Sequence, residues 1–407
     1  MSIISIFSGT YCNSETIVEK CAAQTGFRLL DDQMMAAEAG RISGLSDRKI
    51  KGAFSARTSI FNQFTHEKER SIAYLRLALA GMIGTDNLII DGATGLLIPD
   101  TISHVLRVCI IADMKARLLT AQQQEKVSEK EAAALIRKHD ENRAAWVNTL
   151  RRVNDPWSPS LYDIIIPSDK IPMEEAIRLI SQHAASDVVQ MTDRSRQAIS
   201  DFQLAARAGE ALANAGHDVT TAAKNGTVTI TINKHVLMLS RLEEELKQIV
   251  EKIPGVKAVE TRVGENFHQP DIYRKYDFQM PSKILLVDDE REFVQTLSER
   301  LIMRDMGSAV AYDGESALSM VDEEEPEVMI LDLKMPGIDG IEVLRQVKAT
   351  RPGIEVIILT GHGSEADRQI CMQLGAFAYL HKPVDIDILS KTLKAANEKV
   401  QQLKNKA

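Results

Sequence analysis

Cysteine is scarce in this chain of 407 residues, and its spacing forms no metal or redox motif. The four cysteines, Cys12, Cys21, Cys109 and Cys371, include no Cys-x-x-Cys pair, and none lies near a histidine at zinc-ligand spacing. The pattern therefore indicates neither a disulfide scaffold nor a structural zinc site. We expect four reduced thiols in a reducing compartment.

Long hydrophobic runs and an excess of basic residues are also missing. No apolar run approaches the roughly 18 residues of a membrane-spanning helix, and the N-terminal MSIISIFSG lacks the charged segment of a signal peptide. We therefore expect a cytoplasmic protein without a transmembrane segment. The net charge of −8 argues against a protein that coats nucleic acid. Most of the acidic excess lies after residue 281, where there are 22 acidic and 15 basic residues.

The hydrophobic pattern predicts an α/β multidomain protein. Residues 1–190 alternate short apolar strands with helices, which indicates a parallel α/β domain. Residues 200–265 read as a small α+β module of order αββαβ, with Asn225-Gly226 as the turn of its hairpin. Residues 266–281 read as a linker. Residues 282–403 contain five strand–helix pairs, as in a doubly wound, flavodoxin-like (βα)5 domain.

Four predicted strands of the last region end in polar side chains. Asp288 and Asp289 follow the first of these strands, Asp332 the second, Thr360 the third and Lys382 the fourth. Ligands of open parallel α/β sheets bind at the carboxyl ends of the strands, so these side chains should converge.

The chemistry of this set suits phosphoryl transfer to a carboxylate. Clustered aspartates repel one another and attract a hard cation such as Mg²⁺. Asp332 can then act as a nucleophile and form an aspartyl-phosphate. Lys382 can pair with the phosphoryl oxygens, and the Thr360 hydroxyl can donate to another of them.

The segments KILLVDDE, VMILDLKMPGIDG, VIILTGHG and AYLHKP, within Ser282 to about Gln402, resemble the receiver domain of two-component response regulators. The resemblance implies Asp332 as the phosphoacceptor and Asp288, Asp289 and Asp332 as metal-binding acids. It also implies the backbone carbonyl of Lys334 as a further metal ligand. A sensor histidine kinase or phosphotransfer protein would be the phosphodonor.

The same resemblance makes Thr360 and Lys382 a switch pair and Tyr379 an aromatic switch residue. A phosphoryl group should draw the Thr360 hydroxyl inward, and Tyr379 should turn into the vacated space. With no output domain predicted after the receiver, we expect no direct DNA binding. The face of the fourth helix, fifth strand and fifth helix is then expected to contact a partner, the preceding modules or a second copy, with a homodimer favoured.

Near the N-terminus, a strand–turn–helix pattern gives the context of a phosphate-binding loop, G-x-x-x-x-G-K-[ST]. The loop begins at Gly9 and its last position is Thr16, but Ser14 replaces the second glycine and Glu15 replaces the lysine. A carboxylate at the lysine position reverses the local charge. The helix N-terminus still favours an anion, but only by about 0.3–1 kcal/mol.

Residues 87–183 resemble the cytidylate-kinase-like family of P-loop nucleoside monophosphate kinases. The resemblance rests on IIDGATGLLIP, HVLRVCIIADMKARL, SEKEAAALIRKHDENRAAW and DPWSPSLYDIIIPSDKIPMEEAIRLI. It implies that Arg117, Arg137 and Arg143 clamp phosphates beside Gly9 and Thr16. Solvated helix charge is the other interpretation of these arginines.

The sequence departs from that family where Ala93 replaces the arginine that follows Gly92. Together with the altered loop, this predicts a degenerate domain that does not transfer phosphate at a useful rate, and it leaves a nucleotide ligand open. The middle region, with NGTVTITI and IPGVKAVETRV, resembles the BON domain, for which a docking or spacer role is expected.

These features favour a response regulator whose receiver modulates N-terminal interaction modules. A nucleoside monophosphate kinase regulated by receiver phosphorylation is the alternative, and Glu15 argues against it. A hybrid histidine kinase is disfavoured, since no glycine-rich ATP-binding boxes follow His66.

Overall fold

The structure is a computed structural model that describes residues 2–57, 61–84, 87–234, 236, 239–264, 283–304 and 306–404. The chain forms two compact units, Met1–Thr58 with Glu67–Arg274 and Ser59–His66 with Lys275–Ala407. The predicted linker, 266–281, lies outside the described residues. No described helix is both long enough and apolar enough to cross a bilayer.

The helices are α1 Ser14–Thr25, α2 Asp32–Ser43, α3 Asp47–Gly52, α4 Asn62–Thr65, α5 Glu67–Met82, α6 Met114–Glu125, α7 Glu129–Arg151, α8 Met173–Ala184, α9 Asp193–Asn214, α10 Leu239–Val250, α11 Arg291–Ile302, α12 Gly314–Glu323, α13 Gly340–Thr350, α14 Glu365–Gln373 and α15 Ile386–Lys404. The strands are β1 Ile3–Ser8, β2 Arg28–Asp31, β3 Leu88–Asp91, β4 Val105–Ile111, β5 Ile164–Pro167, β6 Thr220–Lys224, β7 Thr227–Ile232, β8 Ala258–Val263, β9 Ile284–Val287, β10 Ser308–Ala311, β11 Val328–Leu331, β12 Glu355–Thr360 and β13 Ala378–His381. A short 3₁₀ helix spans Ala93–Leu97.

The first unit contains a parallel five-stranded sheet of order β2-β3-β1-β4-β5. Its central strand alternates between two cores: Ile3 and Phe7 pack with α2, α5 and α7, whereas Ile4 and Ile6 pack with α1 and α8. Helices on both faces explain why the strands read as continuous apolar runs. The hydrophobic pattern does not predict β2 or the helix α2 that follows it, because RLLD is short and has charged residues at both ends.

The same unit contains a second sheet, of order β6-β7-β8, with β6 antiparallel and β8 parallel to β7. Asn225 and Gly226 both have positive φ, as the predicted hairpin turn requires. The sheet packs one face against α9 and α10.

Helix α9 contributes to two hydrophobic cores. Ile199 and Phe202 pack into the core of the five-stranded sheet, whereas Leu204 and Leu212 pack under the small sheet. The predicted domains 1–190 and 200–265 therefore lie within one compact unit, because one helix buries apolar residues on both sides.

The second unit contains a parallel five-stranded sheet of order β10-β9-β11-β12-β13. Helices α11 and α15 cover one face, and α12, α13 and α14 cover the other. This is the flavodoxin-like order 2-1-3-4-5 that the five strand–helix pairs predict. All of its strands end at one edge of the sheet.

Candidate functional site

The carboxyl edge of the second sheet gathers the predicted polar residues. Asp288 follows β9, Asp332 follows β11, Thr360 ends β12 and Lys382 follows β13. Parallel strands bring their carboxyl ends to a common edge, and the three innermost strands, β9, β11 and β12, are hydrogen-bonded neighbours.

Three carboxylates meet at this edge. Asp288, Asp289 and Asp332 each offer one oxygen, and these oxygens all lie within 4.8 Å of one another. Asp288 and Asp332 are buried, whereas Asp289 is exposed. Burial raises the pKa of Asp288, although the hydrogen bond from Lys382 opposes this shift. Oxygen donors in this number suit a hard divalent cation.

The two carboxylate oxygens of Asp332 differ in their hydrogen bonding to the described residues. Its Oδ2 accepts a hydrogen bond of 3.2 Å from the backbone N–H of Lys334. Its buried Oδ1 has no hydrogen-bond partner among the described residues, and the Lys382 ammonium lies 4.0 Å from it. A buried polar atom without a partner is uncommon in proteins and often marks a reactive group.

Lys382 is held over the acids by contacts that the sequence did not reveal. Its Nζ lies 2.7 Å from Asp288 Oδ2 and 3.0 Å from Glu290 Oε1, and it lies 4.4 Å from the centre of the Phe293 ring. Burial alone would lower the pKa of Lys382, but its hydrogen bonds to Asp288 and Glu290 outweigh burial and raise it. The lysine therefore stays charged at neutral pH.

Thr360 and Tyr379 meet at the loop that follows β12. Thr360 is fully buried, and its hydroxyl accepts a 3.3 Å hydrogen bond from the His362 N–H. The Tyr379 hydroxyl is buried without a hydrogen-bond partner in the described part of the chain. A Cβ atom at Gly363 would overlap this hydroxyl, so the glycine provides the space that the ring occupies. No sequence pattern distinguishes Gly363, because the space it provides is defined by a side chain 16 positions further along the chain.

The other predicted site lies at the carboxyl edge of the first sheet, in the loop between β1 and α1. Arg117 is buried and donates to the Thr10 carbonyl (2.9 Å) and hydroxyl (3.1 Å). Its guanidinium also forms a two-pronged ion pair with Asp140. All three of its nitrogens are therefore engaged by protein oxygens.

Arg143 also binds the loop backbone, donating to the Ser8 carbonyl at 2.7 Å. Gly9 is buried against Arg117 and Cys12. Thr16 and Arg137 are exposed on α1 and α7. The structure thus brings Gly9, Arg117 and Arg143 together and leaves Thr16 and Arg137 at the surface.

Acidic residues surround this loop. Burial, followed by the carboxylates of Asp32, Asp31 and Glu15, raises the pKa of Asp91 to about 7. Asp32 accepts 2.8 Å hydrogen bonds from the N–H groups of Ala93 and Thr94. Gly92, with φ of 118°, provides the space for this carboxylate. Ala93 stands where the cytidylate-kinase-like family carries an arginine, and its N–H donates to the carboxylate of Asp32.

Two family models match separate parts of the chain. The model of the response regulator receiver domain matches residues 284–394. The C-terminal region is a response regulator receiver domain. The model of the cytidylate kinase-like family matches residues 3–170, so the N-terminal region belongs to that family.

Curated relatives match the receiver domain. The transcriptional regulatory protein CpxR of Klebsiella pneumoniae subsp. pneumoniae (strain HS11286) is 44% identical over 102 residues, 25% of this chain and 43% of CpxR. The response regulator MprA of Mycolicibacterium vanbaalenii is 34% identical over 116 residues, 28% of this chain and 50% of MprA. This chain therefore spans half or less of these relatives' length.

A receiver domain of known structure, from Clostridium thermocellum, is 35% identical with a TM-score of 0.29, and the match covers 30% of this chain and 98% of that one. In the receiver domain of this chain, Asp288, Asp289, Asp332, Thr360 and Lys382 meet at one edge. Lys334 is exposed beside them, and its N–H contacts Asp332.

Proposed function

We propose that this protein is a response regulator of a two-component phosphorelay and that its receiver domain accepts a phosphoryl group on Asp332. A sensor histidine kinase or a phosphotransfer protein would be the donor. One observation carries the proposal: the buried Oδ1 of Asp332 has no hydrogen-bond partner among the described residues and lies beside two further carboxylates and a lysine. A nucleophile needs a lone pair that no hydrogen bond within the protein already engages.

The transfer step balances as an in-line displacement. The Asp332 carboxylate oxygen forms a bond to phosphorus while the bond from phosphorus to the donor's imidazole nitrogen breaks, and that nitrogen keeps the electron pair. Asp288, Asp289 and Asp332, with the Lys334 carbonyl that the family pattern implies, would hold Mg²⁺, which supplies positive charge to the phosphoryl oxygens. Lys382 supplies a second positive charge, and its raised pKa keeps it protonated.

The output would run through Thr360 and Tyr379. The Thr360 hydroxyl, now bonded to the His362 N–H at 3.3 Å, would turn to donate to the phosphoryl group. This movement would change the packing of Tyr379 beside Gly363 and so the surface of α14, β13 and α15. We propose that this surface mediates self-association or contact with the N-terminal modules.

The first unit is proposed to serve interaction rather than catalysis. Arg117 and Arg143 bind loop carbonyls, and Glu15 stands where a phosphate-binding lysine is needed. A regulated nucleoside monophosphate kinase is therefore the weaker candidate. For the BON-like region around β6, β7 and β8, we propose a docking or spacer role. CpxR is named a transcriptional regulatory protein, but for this chain we propose no direct DNA binding.

Intact-mass spectrometry after treatment with acetyl phosphate and Mg²⁺ tests the proposal. We expect one added phosphoryl group on the wild type and none on Asp332→Asn. Asp289→Asn should also abolish labelling, through loss of a metal ligand. The exposed Asp322→Asn, which lies on α12, is the matched control and should label normally. Undiminished labelling of Asp332→Asn would contradict the assignment.

A further inference from the structure

The ammonium group of Lys382 is shared between a buried and an exposed carboxylate. Its Nζ lies 2.7 Å from Asp288 Oδ2 and 3.0 Å from Glu290 Oε1. The side chain of Asp288 is 6% exposed, whereas that of Glu290 is 66% exposed. Asp288 is one of the three carboxylates that meet at the receiver edge, and Glu290 is not. Glu290 therefore holds the lysine from outside the acidic site.

The start of α11 supplies two groups that attract the lysine. The Glu290 carboxylate immediately precedes this helix, and the Phe293 ring in its first turn has its centre 4.4 Å from Lys382 Nζ. The backbone N–H of Glu290 donates to Asp288 Oδ1 at 3.0 Å, which fixes the position of this turn beside the acids. A carboxylate and an aromatic face each stabilise a nearby cation.

Asp332, the proposed nucleophile, lies farther from the lysine than Glu290 does. Its Oδ1 is 4.0 Å from Lys382 Nζ, which is beyond hydrogen-bond distance. The lysine side chain is only 11% exposed, so it has little freedom to take up other positions. In the structure, Lys382 is therefore bonded on the side of α11 and not to the reacting carboxylate.

We propose that Glu290 is a positioning residue that restrains Lys382 in the unphosphorylated receiver, and that phosphorylation of Asp332 draws the lysine away from it. The inference rests on the proposed phosphoacceptor function and adds an internal competitor for the lysine. An ion pair that exists before the reaction and weakens during it slows the reaction, because it stabilises the ground state more than the transition state. Glu290 would thus set how readily the domain is phosphorylated.

Phosphorylation kinetics of the full-length protein with acetyl phosphate and Mg²⁺, followed by intact mass, test the proposal. We expect Glu290→Gln to raise the rate constant at saturating acetyl phosphate about two- to fivefold, the range for an ion pair with one exposed partner. The half-saturating concentration should change little, because the restraint acts on the lysine and not on the entry of the anion.

Glu292→Gln is the matched control. It removes the same charge from an exposed side chain in the first turn of α11, and it should leave the rate constant unchanged. Both substitutions replace a carboxylate by an amide of the same shape at the surface, so the fold should be unaffected.

¹⁵N NMR of the lysine ammonium groups in EDTA gives a readout that requires neither metal nor phosphoryl transfer. The Lys382 signal, assigned by its loss in Lys382→Arg, should shift or broaden in Glu290→Gln and stay unchanged in Glu292→Gln. This measurement reports the contact itself, whereas the kinetics report its effect on the reaction.

The proposal fails if the saturating rate constant of Glu290→Gln is no higher than that of the wild type. It also fails if Glu292→Gln accelerates the reaction equally, because general charge repulsion would then explain the gain, or if Glu290→Gln leaves the Lys382 signal unchanged. A wild type that accepts no phosphoryl group, or an Asp332→Asn variant that still accepts one, would instead overturn the phosphoacceptor function on which the inference rests.

Discussion

Both five-stranded parallel sheets of this protein carry polar side chains at their carboxyl edges. The two edges differ in how many of these polar atoms have a partner within the protein. At the receiver edge, Asp332 Oδ1 has no hydrogen-bond partner in the described chain. At the kinase-like edge, Arg117 donates hydrogen bonds to Thr10 and Asp140, and Arg143 donates to the Ser8 carbonyl. One edge keeps a carboxylate oxygen without a hydrogen-bond partner among the described residues, whereas the arginines of the other edge bind oxygens of their own loop and of α7.

The contrast shows that the residue types at a strand end do not by themselves identify a working site. Arginines near a phosphate-type loop suggest catalysis, but their donors are available to a ligand only if no protein oxygen takes them first. The partner of each polar atom therefore decides between a structural and a chemical role. Substitutions at the two edges should consequently affect different properties.

The largest effect should come from removing the partner of Arg117. Asp140→Ala leaves a guanidinium that is 7% exposed without its carboxylate, and we expect the first unit to lose about 3 kcal/mol of unfolding free energy. Urea unfolding followed by tryptophan fluorescence measures this, since both tryptophans, Trp146 and Trp157, lie in that unit. The adjacent, exposed Glu141→Ala is the control. Equal midpoints for the two variants would show that the ion pair does not hold the loop.

The next effect concerns Asp91 and depends on pH. Because its folded-state pKa is raised to about 7, the folded form keeps a proton that the unfolded form loses, and stability falls as pH rises from about 4 to 7. Asp91→Asn should therefore stabilise the first unit by about 2 kcal/mol at pH 8, after allowance for partial solvent screening, and by little at pH 4. Parallel pH profiles for the two proteins would refute this expectation.

A smaller effect is expected at the receiver edge from Gly363→Ala. The added Cβ overlaps the Tyr379 hydroxyl, so the ring must move, at an overpacking cost of about 1 kcal/mol. Faster hydrogen exchange in β13 would report the displacement, and Tyr379→Phe in the same chain should relieve it. Gly361→Ala is the control, because its Cβ would lie 3.9 Å from the nearest atom of Lys382. Similar hydrogen exchange of β13 in both alanine variants would show that Tyr379 does not pack against Gly363.

The smallest effect should follow Glu15→Lys, which restores the charge of a phosphate-binding loop. The arginines would stay bound to protein oxygens, so we expect MgATP affinity to change by less than about 1 kcal/mol, a helix-terminus effect. Calorimetry compares this variant with Glu19→Lys, one turn further along α1. Strong MgATP binding or turnover with CMP would show that the kinase-like site needs only this one residue.

Much of the receiver site could be predicted from the sequence because parallel strands align their ends. Asp288, Asp332, Thr360 and Lys382 each lie at a strand terminus, and the sheet order follows from the strand–helix repeats. Their partners could not be predicted. Glu290 contacts Lys382 across 92 residues of sequence, and no local pattern encodes that distance.

The kinase-like edge was less predictable, because its outcome depends on which long-range pairs form. The bond from Arg117 to the Thr10 carbonyl joins positions 107 residues apart. Arg137 shares α7 with Arg143, but it lies on the exposed side of the helix, and the hydrophobic pattern did not distinguish the two. The ion pairs of Asp100 with Arg107 and Arg151 could not be predicted from the sequence either, because they join a loop, a strand and a helix.

Helix α9 has a thermodynamic consequence for the first unit. Phe202 and Leu212 lie on one continuous helix but belong to different cores, so fraying of the helix exposes apolar surface in both. The small sheet therefore cannot melt without reducing the protection of the helix that also covers α5. A molecule that stabilises either core should slow the opening of the other, because α9 couples the local stability of the two cores.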